Sequence, residues 1–423
     1  MKIMHYTLGF SPERSGGLVQ YASDLSKEQI KLGHDVTVLY PGNISFISRK
    51  TKIKIGERDN IRTAEIINSL PLPLIGNIGN PSDFMETISM DVFEDFLVKE
   101  RPDVVHIHTL MGLHKEFLEA TRKLKIKTIF TTHDYFGISP NSTFYLNGHD
   151  YAEEQSDKIW SIVPNFGTRT LKHRLLQTRF YPTLRKQLKK IQRTEISTIG
   201  YSANEHLAVS DSQKKKYDLL KDYYSNMLSL IDFFHFNSSL TMDIYKKHFN
   251  VPNDNCIVLH ITSRNIKSTS EIILNAKKIK TIAFIGAYTH QKGFDKFLQF
   301  AEQNKTNYKF VAMGDNRPIP SMYNIENFGR FNKDQLDEYF EKIDLVVIPS
   351  CLHETFGLVG LEALTRNVKT IVYEKVGFSD LLDADFIFKD LLSVDIEKIE
   401  SINVRLGAID NMAEHTQKII SLY

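Results

Sequence analysis

The stretch that decides the fold is "DLVVIPSCLHETFGLVGLEAL", residues 344–364. Its aliphatic run "DLVVIPS" predicts a buried strand, "CLHETFG" predicts a loop, and "LVGLEALTR" predicts a helix. Glu354 then lies on the loop at the carboxyl end of the strand, and Glu362 lies in the following helix. Two glutamates at this spacing are, taken alone, more typical of solvated surface than of a binding site. Their setting between a strand and a helix start makes them candidates for a site.

The same alternation of strands and helices recurs on both sides of this stretch. The first third contains the strand-like runs "KIMHYTLGF", "HDVTVLYPG", "PDVVHIHT" and "KTIFTTHD", separated by helical patterns. The alternation restarts at about residue 280 with "KTIAFIGAY" and continues through "KTIVYEKVG". Strands alternating with helices indicate parallel sheets, in which ligands gather beyond the carboxyl ends of the strands. We therefore predict an α/β protein with two parallel-sheet domains facing each other across a cleft.

The expected domain boundaries follow from this alternation of strands and helices. The N-terminal domain is predicted over residues 1–275, with a basic helical insertion near 155–230. The C-terminal domain is predicted over residues 276–407, and a C-terminal helix at about 408–423 can pack back onto the first domain.

Composition excludes several classes of protein. A hydrophobic content of 42% and a charged content of 25% are ordinary for a globular chain. A net charge of +2 argues against a nucleic-acid partner. Cys256 and Cys351 lack metal-ligand spacing, so we expect neither a disulfide scaffold nor a zinc site. Apolar runs are too short for a signal peptide or a membrane span, which predicts a cytoplasmic protein, at most attached to a membrane surface.

The middle of the chain carries a basic stretch. No acidic residue occurs between Lys158 and Thr194, whereas residues 169–193 contain nine arginines and lysines interleaved with leucines. Three interpretations stay open: contact with an anionic membrane surface, a solvated basic helix packed on the domain, or contact with an anionic acceptor such as a pyrophosphate.

A second candidate site is "FIGAYTHQKG", residues 284–293. A strand ends there at Gly286, and Lys292 precedes Gly293 at the start of the next helix. A cation beside free backbone amides suits phosphate oxygens, and carboxylates such as Glu354 suit sugar hydroxyls. The predicted helix start near Thr355–Leu358 offers further unpaired amides to an anion. The one short segment that carries Glu354 and Glu362 could therefore hold a sugar, a diphosphate and a ribose together.

Six segments in order resemble one family: "SGGLVQYASDLSKEQIKLGHDVTVL", "RPDVVHIHT", "TIFTTHDYFGISP", "FIGAYTHQKGFDKFL", "NFGRFNKDQLDEYFEKIDLVVIPS" and "ETFGLVGLEAL". They resemble the retaining glycosyltransferases of the GT-B fold, specifically glycosyltransferase family 4, over nearly the whole chain. The resemblance implies two Rossmann-like domains, an N-terminal one for the acceptor and a C-terminal one for a nucleotide-sugar donor.

The resemblance also implies roles for residues of the C-terminal half. Glu354 would contact hydroxyls of the donor sugar, and Glu362 would bind the ribose. Lys292 would neutralise the diphosphate leaving group, so that neither a metal nor another cofactor is expected. The backbone covering the sugar and the distal phosphate would come from Thr355, Phe356, Gly357 and Leu358.

Further donor contacts are implied at Gly286 and at the nucleobase pocket formed by Arg330 and Phe331. From the other domain, His133 would contact the donor sugar as a catalytic residue, and Gly17 would bring a backbone amide close to phosphate or acceptor. The alternatives are structural: His133 capping a strand, and Gly17 belonging to a plain turn.

One departure from the family pattern is Ala287, where the family usually has an arginine. Arg330, Arg264 or His290 could replace that cation, or the chain could be a non-catalytic GT-B partner subunit that stabilises an active glycosyltransferase. A sugar phosphorylase is less favoured because its cofactor lysine motif is missing.

The function implied is a retaining, metal-independent transfer of a sugar from a nucleotide-diphospho-sugar to an acceptor hydroxyl. The acceptor is expected to be a saccharide or a lipid-linked molecule in cell-surface polysaccharide or glycoconjugate assembly. The basic residues 169–193 then suggest peripheral contact with the inner face of the cell membrane.

Overall fold

The computed structural model describes residues 1–45, 48, 50–74, 77–178, 210–330 and 335–423. Most of the basic stretch (residues 179–193) and Phe331 lie outside these described residues. The chain forms two α/β halves, each built on a predominantly parallel sheet.

The N-terminal half contains one large sheet and several short strands. In chain order its strands are β1 (Lys2–Tyr6), β2 (Asp35–Pro41), β3 (Lys52–Arg58), β4 (Ile61–Ile67), β5 (Asn77–Ile78), β6 (Val104–Ile107), β7 (Lys127–Thr132), β8 (Tyr145–Leu146), β9 (His149–Asp150), β10 (Gly167–Thr168), β11 (Phe233–Phe236) and β12 (Cys256–Val258). The large sheet has the order β12-β11-β7-β6-β1-β2-β4-β3. Its pairs are parallel except β3 with β4, which form an antiparallel edge.

The C-terminal half is built on a second parallel sheet. Its strands are β13 (Ile272–Leu274), β14 (Thr281–Ile285), β15 (Lys309–Met313), β16 (Ile325–Gly329), β17 (Leu345–Ile348), β18 (Lys369–Tyr373), β19 (Ile387–Phe388) and β20 (Val404–Leu406). The sheet has the order β16-β15-β14-β17-β18-β19, while β13 and β20 pair separately and antiparallel. Fully buried aliphatic runs such as "LVVI" in β17 fit a sheet covered on both faces.

Helices cover the two sheets and connect their strands. They are α1 (Gly17–Lys31), α2 (Asp91–Glu100), α3 (Lys115–Lys123), α4 (Ser156–Ile162), α5 (Thr170–Leu176), α6 (Asp211–Ser229), α7 (Ser239–His248), α8 (Phe294–Asn304), α9 (Leu336–Phe340), α10 (Leu358–Leu364), α11 (Ile396–Ser401) and α12 (Met412–Ile420). Among the described residues, none of these helices combines the length and the apolar character needed to cross a membrane.

The two halves share packing near the domain boundary. Strand β13 precedes the predicted boundary at residue 275 in the sequence, but it pairs with β20 within the C-terminal half. Helix α12 returns to the first half, where the Tyr21 hydroxyl of α1 lies 2.8 Å from His415 Nε2. The crossover from one sheet to the other therefore occupies the segment between β12 and β13.

The architecture confirms the predicted α/β fold with two parallel sheets. The deciding stretch has the predicted order, because strand β17 ends at Ile348, a loop follows, and helix α10 begins at Leu358. The predicted strand and helix after residue 280 are also confirmed, as β14 and α8.

Candidate active site

A cavity of about 380 Å³ lies between the carboxyl ends of strands from both sheets. The segment after β7 contributes His133, and the start of α1 contributes Gly17. From the other half, the ends of β14 and β17 contribute Gly286 and the loop that carries Glu354. This is the position at which parallel α/β sheets bind ligands.

Glu354 and Lys292 form an ion pair in the wall of this cavity. Lys292 Nζ donates to Glu354 Oε1 at 2.8 Å, and the glutamate side chain is 17% exposed whereas that of the lysine is 40% exposed. Burial opposes the charge on Glu354, but Lys292, with a further hydrogen bond from Ser350, holds the pKa of this carboxyl below its ordinary value. The cavity thus contains a carboxylate that stays ionised and a cation that solvent can reach.

Two glycines shape the backbone on which this pair sits. Gly293 has φ +72°, and a Cβ there would lie 1.8 Å from the carbonyl oxygen of Pro349. Gly357, just before α10, has φ +104°, and a Cβ there would lie 2.9 Å from Val376 Cγ1. Both positions therefore require glycine, and the close contact at Gly293 joins the Lys292 segment directly to the Glu354 loop.

The N-terminal half holds the Glu354 loop from the opposite side. The carbonyl oxygen of Thr355 accepts hydrogen bonds from Ser238 Oγ at 2.8 Å and from Thr241 Oγ1 at 2.9 Å. The Thr355 hydroxyl donates to the carbonyl oxygen of His133 at 3.3 Å. The position of the loop therefore depends on contact between the two halves.

A second set of contacts between the halves surrounds Asp150. His353 Nδ1 lies 2.7 Å and Lys375 Nζ 2.8 Å from Asp150 Oδ2. Burial opposes ionisation of Asp150, but these two side chains hold its pKa below the ordinary value. Since His353 directly precedes Glu354, the contacts of Asp150 with His353 and Lys375 also fix the loop.

His133 is a neutral, hydrogen-bonded side chain at the cavity wall. Burial lowers the pKa of His133 to about 3. Its Nε2 lies 3.2 Å from His108 Nδ1, and its Nδ1 lies 3.4 Å from Asn237 Nδ2. The ring also packs on Tyr21, with 4.8 Å between ring centroids. An imidazole in this setting serves as a hydrogen-bonding group rather than as a cation.

Behind His133, three further histidines form a buried cluster. One nitrogen from each of His5, His106 and His108 lies within 4.8 Å of the others, which is the spacing of a possible metal site. All six of their ring nitrogens already lie within 3.2 Å of a hydrogen-bonding partner, so coordination would replace bonds that exist. The cluster therefore has the character of a hydrogen-bonded network.

The structure brings most of the predicted site residues together. The cavity lining contains Gly17, His133, Gly286, Lys292, Glu354, Thr355, Phe356, Gly357 and Leu358. Glu362 is buried on α10, one turn after Leu358, and it is not among the described residues that line the cavity. Arg330 is exposed and also does not line it.

The three residues that the sequence offered as replacements for an arginine at Ala287 lie outside the cavity wall. Arg264 and Arg330 are exposed, and His290 Nδ1 contacts Asp295 at 2.8 Å. None of the three lines the cavity, and Lys292 is the single lysine or arginine among the described residues that do. Within the part of the chain that the structure describes, Lys292 is therefore the one lysine or arginine that contributes positive charge to this wall.

Several residues that hold the site were missed from the sequence. Ser238 and Thr241 carry a local signal, because Ser238 caps α7 by accepting from the Thr241 amide at 3.1 Å. That signal predicts a helix start but not the contact with Thr355. Asp150 and Asn237 have no distinctive local pattern.

Two protein-family models match this chain. The family model described as Glycosyltransferase Family 4 matches residues 15–177, and the model described as Glycosyl transferases group 1 matches residues 265–402. Together the two models cover most of the chain.

One curated relative matches nearly end to end. It is an uncharacterized 42.6 kDa protein in the cps region of Klebsiella pneumoniae, 23% identical over 99% of both chains. Among solved structures, the α,α-trehalose-phosphate synthase (UDP-forming) of Burkholderia xenovorans has a TM-score of 0.52 at 11% identity, over 100% of this chain and 96% of that one. The catalytic domain of starch synthase IV from Arabidopsis thaliana, bound to ADP and acarbose, has a TM-score of 0.51 at 13% identity, over 100% and 98%. At such identities the two structures show a common fold.

Proposed function

Because this chain belongs to glycosyltransferase family 4, we propose that it is a retaining enzyme that transfers a sugar from a nucleotide-diphospho-sugar to an acceptor hydroxyl. The observation that carries the proposal is the ion pair of Lys292 with Glu354 in a cavity that both halves line. The proposal takes Lys292 to contact the diphosphate and Glu354 to contact the donor sugar, as the resemblance in sequence implies.

The ion pair is suited to the exchange that donor binding requires. Lys292 is partly exposed, so a diphosphate can take its hydrogen bonds while Glu354 turns its oxygens to sugar hydroxyls. Charge develops on the phosphate oxygens as the leaving group departs, and a positioned cation stabilises that charge. We propose that Lys292 provides this stabilisation without a divalent metal, with the departing phosphate accepting the proton of the acceptor hydroxyl.

The amides at the start of α1 offer a second contact for anionic oxygens. Helix α1 begins at Gly17, which lines the cavity, and a Cβ built at Gly17 would meet no atom within 4 Å. The open space in front of this helix start leaves room for a phosphate or an acceptor hydroxyl, and the helix dipole favours negative charge there.

A thermal-shift screen tests the donor. Purified protein is melted with the UDP, GDP, dTDP and ADP forms of glucose, and one nucleotide should raise the melting temperature because a ligand that binds only the folded state stabilises it. The rise should disappear in Lys292→Met and persist in Lys296→Met, a lysine of α8 that does not line the cavity. A screen in which no nucleotide shifts the melting temperature would contradict the proposal.

A second candidate function is favoured by Ala287 alone. With one cation in the described lining of the cavity, the chain could bind a donor weakly and act as a partner subunit of another glycosyltransferase. Hydrolysis of the selected nucleotide sugar separates the two functions. Activity that Glu354→Gln abolishes supports the enzyme, whereas binding without turnover supports the partner subunit.

We also propose an acceptor at a membrane surface, in polysaccharide assembly. A relative described as a protein of the cps region supports the pathway. Helix α5 supports contact with a membrane surface. Its Leu171 and Leu175, one turn apart, are 70% and 53% exposed. Arg169 and Lys172, beside them in the sequence, are exposed as well. Exposed leucines next to cations are suited to an anionic bilayer.

Vesicle co-sedimentation tests this membrane contact. The wild type should sediment with anionic vesicles and remain free of neutral ones, and Leu171→Ser with Leu175→Ser should weaken sedimentation. Leu219→Ser is the matched control, since Leu219 is likewise 53% exposed but belongs to α6, outside residues 169–193 of the sequence. Equal sedimentation of the double variant and the wild type would refute the contact.

A further inference from the structure

A continuous chain of hydrogen bonds connects His133 at the cavity to the interior of the N-terminal half. It runs from Asn237 through His133, His108, His5, Gln29, Tyr423, His106, Thr131 and His235 to the carbonyl oxygen of Leu259. Each side chain in it can donate or accept, so the direction of the chain decides which nitrogen of His133 carries hydrogen.

A backbone carbonyl fixes the direction at the inner end, because it can only accept. His235 Nε2 lies 2.7 Å from the carbonyl oxygen of Leu259, so Nε2 carries the hydrogen and Nδ1 accepts. The Thr131 hydroxyl, 2.8 Å from His235 Nδ1, must then donate to it. Thr131 Oγ1 in turn accepts from His106 Nε2 at 2.6 Å, which leaves His106 Nδ1 as an acceptor.

The same logic continues to the side chain of Gln29 on α1. The Tyr423 hydroxyl donates to His106 Nδ1 at 2.8 Å, so the Tyr423 oxygen accepts from Gln29 Nε2 at 2.8 Å. The amide of Gln29 is thereby oriented, with Oε1 facing His5 Nε2 at 2.6 Å. An amide oxygen only accepts, hence His5 carries its hydrogen on Nε2.

From Gln29 the direction passes to the cavity. His5 Nδ1 accepts from His108 Nε2 at 3.0 Å, and His108 Nδ1 accepts from His133 Nε2 at 3.2 Å. His133 therefore carries its hydrogen on Nε2 and has its lone pair at Nδ1.

The outer end of the chain agrees with this assignment. Asn237 Nδ2 donates to the carbonyl oxygen of Thr132 at 2.9 Å, which turns the amide nitrogen toward His133 Nδ1 at 3.4 Å. A donor there requires an acceptor at Nδ1. Burial lowers the pKa of His5 and His235 to about 4, so that the neutral state required along the chain holds at neutral pH.

We infer that Gln29 is a positioning residue that holds His133, through His5 and His108, in the tautomer with hydrogen on Nε2. A hydroxyl of the bound substrate can then hydrogen-bond to this ring only by donating to Nδ1 in place of Asn237 Nδ2, and it receives no proton from His133. The inference rests on the proposed function for the contact between His133 and substrate, whereas the tautomer itself follows from the hydrogen bonds.

Nitrogen NMR of histidine-labelled protein tests the tautomer without any assay of activity. The His133 signals are assigned by their loss in His133→Asn. In the wild type, His133, His108 and His5 should all show hydrogen on Nε2. Hydrogen on Nδ1 of His133 would overturn the inference, whether or not the protein transfers a sugar.

Variants of Gln29 test its part. Q29M removes both contacts of the amide, and we expect mixed tautomers at His133 with kcat on the selected nucleotide sugar about tenfold lower, the size of one net hydrogen bond. The KM should stay within about twofold because the diphosphate contacts are untouched. Q29E keeps an acceptor toward His5 and should retain the wild-type tautomer.

The matched control is Q20M, which removes a hydrogen bond from Gln20 to Asp24 on the same helix and should leave the His133 tautomer unchanged. A folded Q29M with the wild-type tautomer and kcat would overturn the inference. If Q29M does not fold, Q29E serves as the test, because loss of the hydrogen on His133 Nε2 in Q29E would overturn the inference. A wild type that turns over no nucleotide sugar refutes the proposed function and leaves the tautomer measurement intact.

Discussion

Replacing Lys292 by methionine leaves the carboxylate of Glu354 in the cavity wall without its partner. In the wild type, Lys292 Nζ lies 2.8 Å from Glu354 Oε1. Removing one partner of a fully buried pair costs about 3–5 kcal/mol, whereas exposed pairs are worth under about 1 kcal/mol. Glu354 is 17% exposed and Lys292 is 40% exposed, so solvent screening reduces the expected loss to about 2 kcal/mol at pH 7.

The loss of stability in Lys292→Met should depend on pH, and the surroundings of Glu354 determine whether it grows or shrinks as the pH falls. In the wild type the pKa of Glu354 is lowered, so its stabilising contribution is present above the ordinary value of 4.5 and is lost as pH falls through the lower folded pKa. In Lys292→Met, burial remains and raises that pKa, so the variant is penalised above pH 4.5 and relieved below it. The gap in stability between wild type and variant should therefore narrow as pH falls from about 7 to about 4.

The assay is the melting temperature of the wild type, Lys292→Met, Glu354→Gln and the double variant across that pH range. The double variant should be more stable than Lys292→Met at pH 7, because the unpaired charge is gone. A gap that is equal at both ends of the range, or a double variant no more stable than Lys292→Met, would refute the reasoning.

Two further predictions concern the backbone and a buried acid near the site. Gly293→Ala should lower stability by about 2–4 kcal/mol in denaturant unfolding, since its Cβ would meet the Pro349 carbonyl, while Gly407→Ala, with open space around it, should stay within about 0.5 kcal/mol. Burial raises the pKa of Asp134 to about 7. The stability of the wild type relative to Asp134→Asn should therefore fall as the pH rises from about 4 to about 7. Parallel pH profiles of stability for the two proteins would contradict this prediction.

The order of the elements could be predicted from sequence because it is a local property. Buried parallel strands are continuous aliphatic runs, and "LVVI" followed by a loop and "LVGLEAL" shows the change of period directly. The placement of Glu354 and Lys292 in one cavity followed from the rule that carboxyl ends of parallel strands meet. These predictions needed no knowledge of how the two halves contact each other.

What could not be predicted depends on that contact. Ser238 and Thr355 are 117 residues apart, and Asp150 and Lys375 are 225 apart. No local pattern in either segment encodes such a pair, because the pairing arises only when two separately folded sheets meet. Gln29 was missed for a different reason, which lies within the N-terminal half: a glutamine on helix α1 gives no local signal that it faces His5 on strand β1.

The contacts between the halves make the position of Glu354 a property of the closed cleft. On its own half, the backbone of Glu354 bridges to Val376, and its amide donates to the Lys375 carbonyl at 2.9 Å. On the other side, the next residue, Thr355, is held by Ser238 of the N-terminal half. If the halves separate, the loop keeps the first set of contacts and loses the second. Opening of the cleft would therefore release one side of the Glu354 loop, and closure over a donor would restore the geometry in which Glu354 and His133 face the same cavity.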